Sequence, residues 1–229
     1  MVTILRDIVG ITGILISFSL FLSPAPTFNN IIKRKAAEQY LPIPELARLL
    51  KCMLGVLYGL PIVHPNSRLV LTSNAIGLFL QAVYLTIYLI YAAREIRLKV
   101  VKVLALHLAV MTMLVVVVLK VAHTHETRSL IVGIPCVVFG SCMYAVPFQY
   151  LQMRATGRVP HASFTLFTMC GLNDFCWLSY AALPPVDLYV LVTSYIGAFF
   201  GLIPPQLCTC CLMVLHRHRM TSLTGDHRS

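Results

Sequence analysis

The sequence predicts an all-α membrane protein: seven transmembrane helices arranged as two parallel three-helix repeats joined by a linker helix, a 3+1+3 plan. Composition is the first ground for this. Hydrophobic residues make up 58% of the 229 and charged residues 11%, whereas a soluble domain carries about 25% charged residues to keep its surface wetted. The second is a series of apolar stretches at roughly 8–28, 43–63, 68–91, 100–121, 128–150, 162–183 and 187–214. At about 1.5 Å rise per residue, each can cross a hydrocarbon core of about 30 Å. The third is internal repetition at a nearly fixed offset.

The first stretch could also be read as a secretory signal. It lacks a basic start and a small-residue cleavage pattern, and its counterpart recurs later, so it reads as a mature helix. Val9-Gly10-Ile11 recurs as Val132-Gly133-Ile134, and Pro24 recurs as Pro147 at that same offset of 123. Tyr58 matches Tyr180 at offset 122, and Ile76-Gly77-Leu78-Phe79 matches Ile196-Gly197-Ala198-Phe199 at offset 120. One such match means little; four in chain order point to a duplicated unit. Residues 8–93 then form the first repeat and 128–214 the second, with a linker helix at 100–121 and a polar, unstructured tail at 215–229. Three crossings reverse the direction of the chain and a fourth restores it. The repeats therefore enter the membrane alike, related by an axis along its normal.

Orientation follows from where Lys and Arg fall between spans. One side holds Lys33, Arg34, Lys35, Arg94, Arg97, Lys99, Lys102, Arg154, Arg158, Arg217, Arg219 and Arg228; the other holds Arg6, Arg68, Lys120 and Arg128. Twelve against four predicts a multi-pass protein with its N-terminus outside and its C-terminus in the cytosol; the plasma membrane is expected ahead of a vacuolar or other endomembrane. The net charge of +10 is thus a topology signal. The basic residues form no tract interleaved with aromatics, and no nucleic-acid partner is expected.

The eight cysteines lie in apolar stretches without zinc-site spacing and read as small buried hydrophobes. Cys208, Cys210 and Cys211, near the last helix end, could instead carry palmitate. His123-x-His125 supplies too few ligands for a metal, and no metal or cofactor is expected. There is no phosphate-binding glycine loop, no His-Glu-x-x-His and no spaced pair of intramembrane aspartates, so the chain does not read as an enzyme. The GAFFG run at 197–201 permits close helix packing, and Pro204-Pro205 would kink the last helix.

Several strings resemble the plant SWEET sugar transporters, relatives of the PQ-loop proteins. They are LFLSPAPTF (20–28) followed by IIKRK (31–35), LYGLPIVHPNS (57–67), AVYLTIY (82–88), HTHETRSLIVGI (123–134) and the Cys176-Trp177 pair. The resemblance spans residues 8 to about 202. It implies facilitated, bidirectional passage of mono- or disaccharides down their gradient by alternating access, in a bilayer, often as homo- or hetero-oligomers.

The resemblance also implies residue roles. An inner gate of four prolines is matched by Pro24, Pro44 and Pro147, while the fourth position falls on Ser163. Proline removes a backbone donor and bends a helix, so hinges gathered at one end suit a rocking gate. Sugar contacts are implied at Asn74 and at Trp177, the chain's only tryptophan. An amide serves hydroxyls and an aromatic face serves C–H surfaces. The counterpart of Asn74 in the last span is Ser194, which offers one group where an amide offers two. Gly55, across from Trp177, would widen the pocket. Tyr58 and Asp187 are implied as an outer gate, where a phenol–carboxylate bond makes a breakable latch.

One inference goes beyond the resemblance. Lys51 and Asp174 stand where the family has asparagine and glycine, at similar depths in the second and sixth spans. Two opposite charges there would offset one another as an ion pair. Two other readings stay open: a transport-impaired family member acting as a hetero-oligomer partner, favoured by Ser163, Ser194 and Lys51, and a seven-helix receptor.

Overall fold

The computed structural model describes residues 1–37, 40–143 and 163–202, with backbone alone at 163–168 and 201–202. Eight helices lie in this range: α1 (Val2–Leu22), α2 (Ala25–Arg34), α3 (Ile43–Gly59), α4 (Arg68–Tyr91), α5 (Arg94–Lys120), α6 (His125–Met143), α7 (Ser163–Ala182) and α8 (Leu188–Leu202). No strand occurs among the described residues. Four stretches, Val2–Arg34, Arg68–Tyr91, Arg94–Lys120 and His125–Met143, are long and apolar enough to cross a bilayer. Leu188–Phe200 is a shorter apolar helix. The expected tail at 215–229, Pro204-Pro205, Cys208, Cys210 and Cys211 lie outside the described residues.

Two boundaries differ from the sequence reading, for identifiable reasons. The first span begins at Val2 and is interrupted, α1 ending at Leu22 and α2 starting at Ala25. Pro24 and Pro26 carry no N–H, so the helical ladder fails where both would donate. The fourth helix starts at Arg94 and so takes in Arg94, Arg97, Lys99 and Lys102. Glu95 in its first turn and Lys120 in its last complement the backbone dipole. Other ends follow local chemistry. Helix α3 has Pro42 at its N-cap and Pro44 in its first turn, where a missing donor costs nothing, and it stops at Gly59 ahead of Pro61.

Helix α1 shows how the interior is built. Its buried residues are Arg6, Gly10, Gly13 and Ser17, a helical stripe of mostly small side chains, while Ile4, Leu5, Ile8, Ile11, Leu15 and Phe18 are exposed. Lipid offers no hydrophobic drive to hide large apolar groups. Small residues let backbones approach and gain dispersion and hydrogen bonds. Gly10 and Gly13 face Tyr180 and Trp177 of α7, and Gly77 of α4 faces Phe21 of α1 and Cys52 of α3.

The pairing of helices is regular. Helix α4 packs on α1, α2 and α3; α8 packs on α6 and α7; and between these sets α1 packs on α7 and α3 on α6. Helix α5 touches α3 and α6 lightly. Only Val100 and Val118 of its 27 residues are buried, and Leu98, Leu106, Leu108, Met113, Val116 and Leu119 are exposed.

Candidate functional site

At one end of the bundle the chain turns from α3 into α4 beside the turn from α7 into α8, and Asp187 closes that meeting point. It precedes the first residue of α8, and its Oδ1 accepts the Val190 backbone N–H at 3.2 Å, an N-cap that satisfies one of the helix's orphan donors. The same oxygen accepts from Tyr58 Oη at 2.7 Å, and Oδ2 accepts from Ser67 Oγ at 2.8 Å. His64 Nε2 stands 3.6 Å from Oδ2. Its ring stacks on Tyr58 with centroids 5.1 Å apart, and its Nδ1 lies 3.0 Å from Ser129 Oγ of α6. The Asp187 side chain is 0% exposed. A buried carboxylate is tolerable only when paired and hydrogen-bonded; here three donors and an imidazole surround it. The Tyr58–Asp187 contact, the expected outer gate, is therefore present as a short bond inside a larger polar knot.

A polar string at α1–α7 lies further in. Trp177 Nε1 donates to Ser17 Oγ at 3.1 Å, and Ser17 Oγ donates to Asn173 Oδ1 at 2.6 Å. The indole ring lies against Gly13, where an added Cβ would come within 3.2 Å of it. Trp177 also meets Tyr180 edge to face, centroids 5.5 Å apart. The indole is thus held on one side by a hydroxyl and on another by an aromatic ring, which fixes its rotamer.

Asn74 stands on α4, half-buried, with Nδ2 donating to Val70 O of its own helix at 2.8 Å. That bond uses one N–H and leaves the carbonyl oxygen and the second N–H for another partner. The amide presses directly on Gly55: all three nearest neighbours of a Cβ there would be Asn74 atoms. The room that Gly55 was expected to open toward Trp177 is filled by Asn74, so Gly55 serves as the seat of the amide. Ser194 is buried on α8.

At the opposite end, Pro24 is buried and caps α2, at the break in the first span. Ser23 N bonds Leu20 O there at 3.2 Å, and Tyr84 Oη of α4 donates to Phe21 O at 3.1 Å. Tyr84 thus pins the interrupted helix, its ring stacked on Phe28 with centroids 4.6 Å apart. Pro44 is exposed in the first turn of α3. Ser163 begins α7, and Pro147 lies outside the described residues. Lys51 is exposed and Asp174 buried.

Ser17, Asn173, His64, Ser67 and Ser129 were not singled out in the sequence. The signal for His64 and Ser67 was available, since both fall in the LYGLPIVHPNS string. Nothing distinguishes Ser17 and Asn173 from ordinary helix polar residues until α1 and α7 are brought together.

Comparison with known proteins agrees with this architecture. A family model described as "Sugar efflux transporter for intercellular exchange" matches residues 7–96 and 130–214. The bidirectional sugar transporter SWEET7b of Oryza sativa subsp. japonica is 46% identical over 200 residues, covering 87% of this chain and 75% of the relative. The putative bidirectional sugar transporter SWEET7d of the same rice is 43% identical over 225 residues, 98% of this chain and 81% of the relative. SWEET7 of Arabidopsis thaliana is 45% identical over 201 residues, 87% and 78%. Among solved structures, that of a eukaryotic SWEET transporter superposes with a TM-score of 0.83 at 26% identity, covering 92% of this chain and 97% of the other. By sequence over most of its length and by fold, the chain belongs to the SWEET family of sugar transporters.

Proposed function

We propose that this chain carries mono- or disaccharides down their gradient, in either direction, by rocking two three-helix halves about a site between them. The observation that carries the reading is the polar string Trp177–Ser17–Asn173 at the contact between α1 and α7. It sets an aromatic ring, a hydroxyl and an amide where sugar hydroxyls and C–H faces need them. The matched helix pairings support two like halves, with α1–α7 answering α3–α6, and the weakly packed α5 suits a linker. In this reading Asn74, Trp177 and Ser194 contact sugar and Tyr58 and Asp187 close the outer end. Pro24, Pro44, Pro147 and Ser163 frame the inner end. The protein sits in the plasma membrane with its N-terminus outside, as a homo-oligomer or with other family members.

Uptake and efflux of radiolabelled glucose and sucrose in transporter-deficient cells test this. At least one sugar is expected to move both ways without a proton gradient. Trp177→Ala should remove most of that flux, and Ser194→Asn should raise uptake at low sugar about two- to tenfold, the worth of one more hydrogen bond. If the protein reaches the surface and moves neither sugar, the transport-impaired partner reading replaces this one.

The opposed charges of Lys51 and Asp174 are proposed to offset each other within the same bundle. Folded yield should then fall in Lys51→Asn and in Asp174→Gly and recover in the double variant. Equal yields in all three would sever the pair.

A further inference from the structure

Arg6 enters the sequence reading as one of the few basic residues on the Asp187 side, a charge expected to sit in water. It is instead buried, 7% exposed, on the inward stripe of α1. Its Cζ lies 4.3 Å above the centre of the Tyr180 ring, and its Nε and Nη2 have no hydrogen-bond partner. A guanidinium with two nitrogens unpaired while its face lies on an aromatic ring is held there by the ring. Tyr180 is itself 2% exposed. Its hydroxyl donates to Asn66 O at 3.4 Å, and its ring meets Trp177 edge to face at 80°. Gly10 lets α1 lie flush on that ring. Arg6, Tyr180 and Trp177 therefore stack as one column. It runs from the end of α1 down to the indole whose N–H engages Ser17.

We propose that Arg6 is a positioning residue for sugar binding: clamping the face of Tyr180, it fixes the ring on which Trp177 is set. This rests on the reading of Trp177 as a sugar contact. The cation draws the π-face of Tyr180 toward itself, which leaves the tyrosine one rotamer and so gives the indole one edge-to-face partner.

Trp177 is the only tryptophan in the chain, so emission of the purified full-length protein excited at the red edge of absorption, where tyrosine does not absorb, reports on it alone. Arg6→Met keeps length and apolar packing but removes the charge. It should shift and broaden Trp177 emission in the absence of sugar. It should also raise the half-saturating sugar concentration about three- to thirtyfold, the range of a partly to fully desolvated cation–π contact, with maximal rate per surface molecule changed less than twofold. Arg6→Lys, which can still place a cation over the ring, should restore most of both. If Arg6→Met fails to fold, Arg6→Gln supplies the same uncharged comparison. Unchanged emission and half-saturation without the charge would overturn the proposal, as would a loss confined to maximal rate, or a lysine no better than methionine. Because the emission comparison needs no sugar, a protein that moves none would sink the transport reading while leaving the column to be judged separately.

Discussion

Asp187→Ala is expected to cut sugar flux at least a hundredfold at equal surface abundance. Its carboxylate accepts from Tyr58, Ser67 and the Val190 N–H in a place water does not reach. Truncation leaves two buried hydroxyls without acceptors, each costing about 1–3 kcal/mol, and a part-buried amide N–H besides. The bonded arrangement of this end would lose several kcal/mol, and each 1.4 kcal/mol is about tenfold in a population. A carrier that must close this end in every cycle slows accordingly. Asp187→Asn keeps the shape and part of the accepting capacity and should fall between. Tyr58→Phe removes one bond to a charged group, worth about 1.5–3 kcal/mol. Tyr58→Phe and Asp187→Asn should be less than additive, since one removes and the other weakens the same bond. Wild-type exchange rates in Asp187→Ala would remove the latch from the mechanism.

Gly59→Ala should be the most damaging methyl addition among the described glycines. An added Cβ there would lie 2.8 Å from Leu71 Cα, Cβ and N. Two of these are backbone atoms and cannot rotate away, so α3 and α4 must separate. Overpacking of this kind costs about 1–3 kcal/mol, and in a chain of this size about 2–4 °C of melting temperature goes with each kcal/mol. The clash has a further effect, because Leu71 N bonds Ser67 O and Ser67 supplies one of the Asp187 bonds. Gly13→Ala is the control: the nearest atoms to its Cβ would be those of the Trp177 ring, at 3.2 Å, a tight contact that a shift of a few tenths of an ångström relieves. Thermal melts of the two variants in detergent decide the matter. A Gly59→Ala protein that melts with wild type, or above Gly13→Ala, contradicts the argument.

Much of the fold was legible in the sequence because membrane spans are written in composition, and because duplication leaves matches at nearly one offset. Tyr58 and Asp187 were readable as a contacting pair through the family resemblance. What escaped notice depends on which helix faces which. Arg6 counts as a topology charge until α1 is laid on α7 and its stripe turns inward. Gly55 reads as empty space until Asn74 is seen occupying it. Ser17 and Asn173 acquire a role only from the 2.6 Å bond between them. The break at Pro24 was expected as a bend. Its repair by Tyr84 was not, since a hydroxyl sixty-three residues away carries no local signal.

The bare flanks of α5 imply a different kind of constraint from the rest of the fold. With 27 residues at about 1.5 Å each it reaches about 40 Å, well beyond a hydrocarbon thickness of about 30 Å. It must lean, or project its Arg94–Lys102 turns among the headgroups, where their long basic side chains are at ease. Where its exposed flanks face acyl chains, any apolar side chain of similar bulk is accepted. Selection on this rod should therefore act on its extent and on the polarity of its ends far more than on the identity of its middle.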